Sequence, residues 1–250
     1  MSLICALALL VAQPVSLKES LFVDGLLIGS YADGKWIKHE KPITATDVPV
    51  RQLLLMTSIA SKPIQKVAWQ EVPEGNFIED TPNPPRVLWT GSAPRYPRPI
   101  RSQNPNQAVY VQSVNSALQR IRKGTYSIQI TNLIRVDLDG NGVDEVVIEA
   151  RTKGRTDSQL LYERKPGNFS GVFVRALVKG NVIVTPIQVD IVHNTDSLPY
   201  LNRIRAIADL TGNKRYEMIT SSDYYEGQSA RVSEFRGGQV YTLVENGSGV

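Results

Sequence analysis

Nine consecutive residues, 137–145, place hard oxygen donors close together. Asp137, Asp139 and Asn141 alternate along the segment, so in a tight loop their side-chain oxygens converge on one side. Gly140 and Gly142 between them let the backbone turn sharply. The Val143 carbonyl and the Glu145 carboxylate can complete a shell made only of oxygen, which is the donor set Ca²⁺ prefers. Asp144 is read as standing outside the ligand set and hydrogen-bonding the loop. Without a cation the segment is awkward, because Asp137, Asp139, Asp144 and Glu145 bring four negative charges together. Two such charges about 6 Å apart repel by roughly 2–3 kcal/mol at an effective dielectric near 20. An EF-hand is excluded: its twelfth position needs a bidentate Glu, and here it is Ile148. The plain alternative is an Asp/Asn/Gly-rich β-turn that holds no metal.

The elements that must position this loop are strands, read at 126–136 before it and 145–150 after it. The same arrangement recurs at an offset of 72 residues. Asp209-Leu210-Thr211-Gly212-Asn213 aligns with Asp137-Leu138-Asp139-Gly140-Asn141, and Glu217-Met218-Ile219-Thr220 aligns with Glu145-Val146-Val147-Ile148. Two copies of a strand-loop-strand-strand unit form a miniature repeat architecture, too short to close a propeller of ordinary blade number. The second copy has Thr211 in place of an acid and Lys214 in place of a glycine. Little or no Ca²⁺ is expected there, with the Lys214 ammonium standing in for the ion.

The 137–145 loop, followed by Val146-Val147-Ile148, resembles the Ca²⁺ loop of FG-GAP/VCBS-type repeats, the β-propeller blade motifs of integrin α-chains and many secreted bacterial proteins. The resemblance covers residues 130–165, with a weaker second copy at 203–245. It implies Asp137, Asp139, Asn141 and Glu145 as side-chain ligands and Val143 as a backbone ligand. The helix before the loop, Tyr224-Tyr225-Glu226-Gly227 and the terminal Gly247-Ser248-Gly249-Val250 are similar to a group of exported bacterial FG-GAP-like proteins, for which no activity is implied.

The fold class expected is mainly β: a small N-terminal β-unit, then an antiparallel β-domain of two propeller-blade-like repeats with one helix packed on it. Residues 1–16 hold an apolar run from Leu3 to Ala12, too short to span a bilayer and suited to a secretory signal, although no Lys or Arg precedes it. A buried first strand is the alternative. Residues 17–81 read as the small β-unit, with strands at 51–58 and 66–72 and a hairpin at Asp33-Gly34. Residues 82–105 hold seven prolines, with Arg86, Arg95, Arg98 and Arg101 around Trp89 and Tyr96. Proline density rules out a central strand or helix, so the stretch is read as an extended linker, the alternative being a basic-aromatic arm for an anionic partner. Residues 106–123 carry Val111, Val114, Leu118 and Ile121 at helical spacing, with Gly124 as the stop. Beyond it the pattern is β to the end, with a strand also read at 159–164.

A chain of 250 residues can bury a substantial core, and 42% hydrophobic with 21% charged residues is ordinary for a globular protein. A net charge of +4 is too weak to indicate nucleic acid. The lone Cys5 excludes disulfides within the chain and a Cys-based zinc site, and His39 and His193, the only candidates for nitrogen ligation, read as ordinary surface or core residues. No nucleophile elbow, phosphate loop or metalloprotease motif occurs. Tyr224 and Tyr225 beside Glu226 read as a ligand-contact candidate, since adjacent residues of a strand face opposite sides and one tyrosine is left exposed. A hairpin whose tyrosines cover the sheet is the alternative. Together these features suggest an exported (secreted, periplasmic or cell-surface), non-enzymatic Ca²⁺-binding scaffold or binding module. Its partner would be a glycan or cell-surface protein, with no nucleic acid and no transmembrane span. The alternatives are a secreted polysaccharide-active hydrolase with structural Ca²⁺, and an intracellular interaction module.

Overall fold

The structure, a computed structural model, describes residues 19–39, 87–92, 95–197 and 199–249 in full, together with the backbone of four strands between 50 and 79. The apolar run at 3–12, Cys5, the 54–58 part of the expected strand and residues 82–86 lie outside the described residues. The protein is mainly β. The N-terminal half supplies β1 (Ser20–Val23), β2 (Leu26–Ala32), β3 (Lys35–Ile37), β4 (Val50–Leu53), β5 (Pro63–Ile64), β6 (Ala68–Val72), β7 (Gly75–Glu79), β8 (Val87–Trp89) and β9 (Arg101–Ser102). After α1 (Ala108–Ile121) come β10 (Ile128–Val136), β11 (Glu145–Thr152), α2 (Asp157–Tyr162), β12 (Phe169–Val178) and β13 (Asn181–Ile191). The chain ends with β14 (Tyr200–Ala208), β15 (Glu217–Tyr224), β16 (Gly227–Arg236) and β17 (Gln239–Gly249).

These strands form an N-terminal sheet ordered β3-β2-β1-β8-β4-β5, a first-repeat sheet ordered β13-β12-β11-β10-β9 and a second-repeat sheet ordered β14-β15-β16-β17, with β6–β7 as a separate ribbon. All described pairings are antiparallel. The repeat read from the residues is structural. β10 and β14, and likewise β11 and β15, are separated by 72 positions, whereas β12 and β16, and β13 and β17, are separated by 58. The first repeat therefore carries an insertion after β11, and α2 occupies it.

Two Asp-Gly pairs, not one, turn the N-terminal hairpins. Asp24-Gly25 joins β1 to β2 and Asp33-Gly34 joins β2 to β3, each with both residues at positive φ. Two expectations are corrected. The proline-rich stretch does contribute a central strand: β8 lies between β1 and β4, pairing Leu21 with Trp89 and Arg51 with Trp89. Proline acts residue by residue, and Val87-Leu88-Trp89 is a proline-free triplet whose side chains are all buried. Residues 159–164 are not a strand, because Thr156 and Gln159 form a reciprocal capping box that starts α2.

The layers stack in the order α1, first-repeat sheet, second-repeat sheet, N-terminal sheet. α1 lays Val114, Ala117 and Leu118 on the outer face of the first-repeat sheet, against Val146, Ile148 and Phe173. The inner face, with Ile134, Val147 and Val174, packs on Ile207, Tyr216, Met218 and Phe235 of the second repeat. The far face of that repeat, with Ala206, Ile219 and Val232, packs on Leu21, Ile28 and Trp89 of the N-terminal sheet. Sheets covered on both faces explain why Val146-Val147-Ile148 runs unbroken in apolar residues instead of alternating. The stack brings the β10–β11 and β14–β15 loops side by side at one end, where the Tyr216 amide donates to the Leu138 carbonyl at 2.9 Å.

Candidate metal centre

The 137–145 loop is held by its own carboxylates. One Asp137 oxygen accepts from the Gly140 and Asn141 amides at 2.8 and 3.1 Å, and the other accepts from Gly142 at 3.1 Å. Asn141 Oδ1 accepts from the Val143 amide at 2.7 Å. Gly140 and Gly142 sit at φ 80° and 86°, where a Cβ costs energy. Glu145, fully buried at the start of β11, reaches back to accept from the Leu138 amide at 2.8 Å. The result is a cluster in which one carboxylate oxygen each from Asp137, Asp139 and Glu145 lie within 4.8 Å of one another. Ca²⁺–oxygen bonds of about 2.4 Å allow ligand oxygens to be up to about 4.8 Å apart, so the spacing and donor type suit that ion. Burial is the main cause that pushes the Glu145 carboxyl up to about 7, the Leu138 hydrogen bond opposes it, and the charges of Asp139 and Asp137 push it further.

Among the expected ligands, Asp137, Asp139 and Glu145 are thus brought together. Asn141 and Val143 lie on the solvent side, Asn141 closing its own turn and Val143 43% exposed. Asp144 stands apart from the three, but its partners are Arg135 at 2.7 Å and Arg101 at 3.4 Å outside the loop, not the loop itself as expected.

The 209–217 loop repeats most of this network, without a counterpart of the Asn141 amide bonds. Asp209 accepts from Gly212 at 2.7 Å and Lys214 at 3.0 Å, Asn213 accepts from Arg215 at 2.7 Å, and Glu217 accepts from Leu210 at 2.8 Å. The difference lies where the first loop has Asp139. The Thr211 hydroxyl donates to the second Glu217 oxygen at 2.7 Å, so a neutral donor meets the buried carboxylate in place of a like charge. Burial again pushes Glu217 up to about 7, but here the third-position residue lowers it. Lys214 holds φ 68° in the position of Gly142, and among the described residues its ammonium pairs with neither Asp209 nor Glu217. The stand-in for a cation is therefore the Thr211 hydroxyl, because the glycine position faces solvent.

Residue-type reasoning missed Arg98. Its Nε donates to the Asp137 carbonyl at 2.7 Å and lies 3.3 Å from the Asp137 carboxylate, and its guanidinium stacks on Tyr216 with 5.1 Å to the ring centroid. The Tyr216 hydroxyl and the Arg98 backbone are hydrogen-bonded in turn. Arg95 pairs with Asp209 through both backbone groups. Part of the expected linker thus stitches the two loops, which takes up Arg98 as a largely buried counter-charge and Arg101 as an exposed one. Alternation of Pro and Arg was the only signal for it.

Tyr224 and Tyr225 lie at the other end of β15 from the loops, since Glu217 opens that strand and Tyr224 closes it. The eight residues of that strand separate them by about 23 Å, so the tyrosines and the metal loop do not share one edge. Tyr224 is half-buried, donating to the Ser248 carbonyl at 2.8 Å. Tyr225 is 60% exposed and meets Tyr162 of α2, itself 59% exposed, edge to face at 5.8 Å. Glu226 completes the turn and is exposed. No described helix is long and apolar enough to cross a membrane. Comparison with protein families, curated proteins and solved structures finds no match to the chain.

Proposed function

We propose that the protein is a non-enzymatic, exported binding module whose first-repeat loop is stapled by Ca²⁺. Asp137, Asp139 and Glu145 hold the ion, with Asn141 and the Val143 carbonyl completing the shell. The observation that carries this reading is the contrast at one position: three carboxylates converge in one loop, and a hydroxyl replaces the middle one in its repeat-mate. The buried charge of the first loop is compensated by a cation and that of the second by a hydrogen bond. Fixing the turn after Val136 fixes the register of β10 on β11 and, through Arg98, the seating of the two repeats. The Tyr162–Tyr225 pair at the opposite end, with Glu226, offers an exposed aromatic platform to a glycan or cell-surface protein. A hydrolase is less well supported, because the carboxylates of Glu217 and Glu234 beside the cleft between the β2–β3 hairpin and the second repeat are fully buried and engaged with internal donors.

Thermal unfolding in EDTA and in Ca²⁺ tests the reading. Ca²⁺ at one hundred times its dissociation constant is expected to stabilise the native state by about 2.7 kcal/mol. For a domain of this size that corresponds to a rise of roughly 5–10 °C in Tm. Asp139→Ala should remove the shift. A wild-type Tm indifferent to Ca²⁺ at millimolar concentration would overturn the metal assignment.

A further inference from the structure

We propose that the cleft between the β2–β3 hairpin and the second repeat binds a single neutral sugar ring. The cleft has a volume of about 360 Å³, near the lower end of small-molecule pockets and suited to one ring rather than a chain. One wall is aromatic. Tyr31 and Trp36 lie 5.8 Å apart, and Trp36 is backed at 5.9 Å by the fully buried Trp89, so its plane is fixed before any ligand arrives. The facing wall is polar, with Thr211 and Asn213 from the 209–217 loop and Arg236 and Thr242 from the β16–β17 hairpin.

That polar wall is pre-organised from behind. Glu217 and Glu234 are direct cross-strand neighbours on β15 and β16, and both are fully buried. Glu217 fixes the Thr211 hydroxyl, while Glu234 fixes the Asn213 amide at 3.1 Å and the Arg236 guanidinium at 2.5 Å from Nε. These hydrogen bonds hold the lining groups in place while the carboxyls stay out of solvent.

Charge and hydrogen-bonding capacity then select the ligand. Lys35 and Arg236 balance Glu217 and Glu234 around the cleft, so neither a cation nor an anion is favoured. Among the described residues, the buried indole N–H of Trp36 also has no hydrogen-bond partner. An ammonium ligand offers that group no acceptor and meets two cations at the rim. A sugar offers an apolar C–H face to the aromatic wall and hydroxyls that both accept and donate. The inference is independent of the metal loop, because no ligand proposed for the ion lines the cleft.

The test is titration of the full chain with glucose, galactose, mannose, xylose and N-acetylglucosamine, followed by calorimetry and tryptophan fluorescence, with choline and glucuronate as charged comparators. At least one neutral sugar should bind saturably at one per chain and perturb the fluorescence. Trp36→Phe should weaken that binding at least tenfold, and Thr242→Val at least threefold. Thr242 and Lys35 are exposed, so Thr242→Val and Lys35→Ala keep the test decisive if Trp36→Phe lowers the Tm. Failure of all five sugars to bind, binding unchanged in the variants, or tighter binding of choline or glucuronate overturns the proposal.

Discussion

The 137–145 and 209–217 loops share a backbone and differ in what compensates a buried glutamate. Both begin with an aspartate that gathers the amides of its own turn, and both end with a glutamate that reaches back to the second residue of the loop. Those bonds make the turn, and neither copy needs a cation for it. In the third position Asp139 adds a like charge beside Glu145, whereas Thr211 adds a proton donor beside Glu217. At about 5 Å and an effective dielectric near 20, two carboxylates repel by roughly 3 kcal/mol. The same turn can thus be built with a different charge at its centre through one side chain.

The largest expected effect is on the pH dependence of stability. Both glutamates are pushed up to about 7, above the usual value of 4.5. Between those limits the folded state holds more protons than the unfolded state, so stability present below pH 4.5 is lost as pH rises through 7. Each group contributes on the order of 3 kcal/mol to that loss. Ca²⁺, if held as proposed, would bind the ionised form of Glu145 and should abolish its share. Glu217→Gln should abolish the other. Urea unfolding from pH 4.5 to 8 is expected to show a steep decline for wild type in EDTA, a shallower one in Ca²⁺, and the shallowest for Glu217→Gln in Ca²⁺. A decline equally steep in all three would break the comparison.

Asp139→Thr transplants the second loop's solution into the first. At pH 8 in EDTA it is expected to stabilise the protein by about 2–3 kcal/mol, since a repulsion is exchanged for a hydrogen bond. It should also leave no response to Ca²⁺. The reverse change, Thr211→Asp, should destabilise by a similar amount under the same conditions. Equal stability of Asp139→Thr and wild type in EDTA would show that Asp139 and Glu145 do not oppose each other.

Arg98 sharpens the comparison from outside, because it grips the first loop through the Asp137 and Leu138 carbonyls and lies over Tyr216 of the second. Arg98→Ala is expected to cost about 2 kcal/mol in denaturant unfolding, the range for hydrogen bonds made by a charged donor. A loss under 0.5 kcal/mol, the scatter of ordinary surface changes, would mean that the segment only passes beside the loops.

What the residues disclosed in advance follows a physical boundary. The turn chemistry of residues 137–145 and the face of α1 are local patterns, each written within a few consecutive residues, and the 72-residue repeat is legible because the first of them recurs. The β8 strand depended on Trp89 finding a place between β1 and β4, which no local pattern encodes. Arg98 gained its role because a chain 39 residues upstream passes the loop. The Tyr31–Trp36 cleft combines segments nearly 180 positions apart. The short α2 was hidden by apolar Leu160 and Leu161, which suit either structure until the Thr156–Gln159 cap is weighed.

The smallest effect concerns Lys214. It occupies the left-handed region at φ 68°, where Gly142 sits at 86° in the first loop. A residue with a Cβ pays about 1–2 kcal/mol there, and glycine is freer in the unfolded chain, which returns part of that difference. Lys214→Gly is therefore expected to stabilise by about 1 kcal/mol, read as a rise of roughly 2–4 °C in Tm. The gain should be the same in EDTA and Ca²⁺, because Thr211 still denies the loop its third carboxylate. If Lys214→Gly alone made the second loop responsive to Ca²⁺, the lysine and not the threonine would be what separates the two copies.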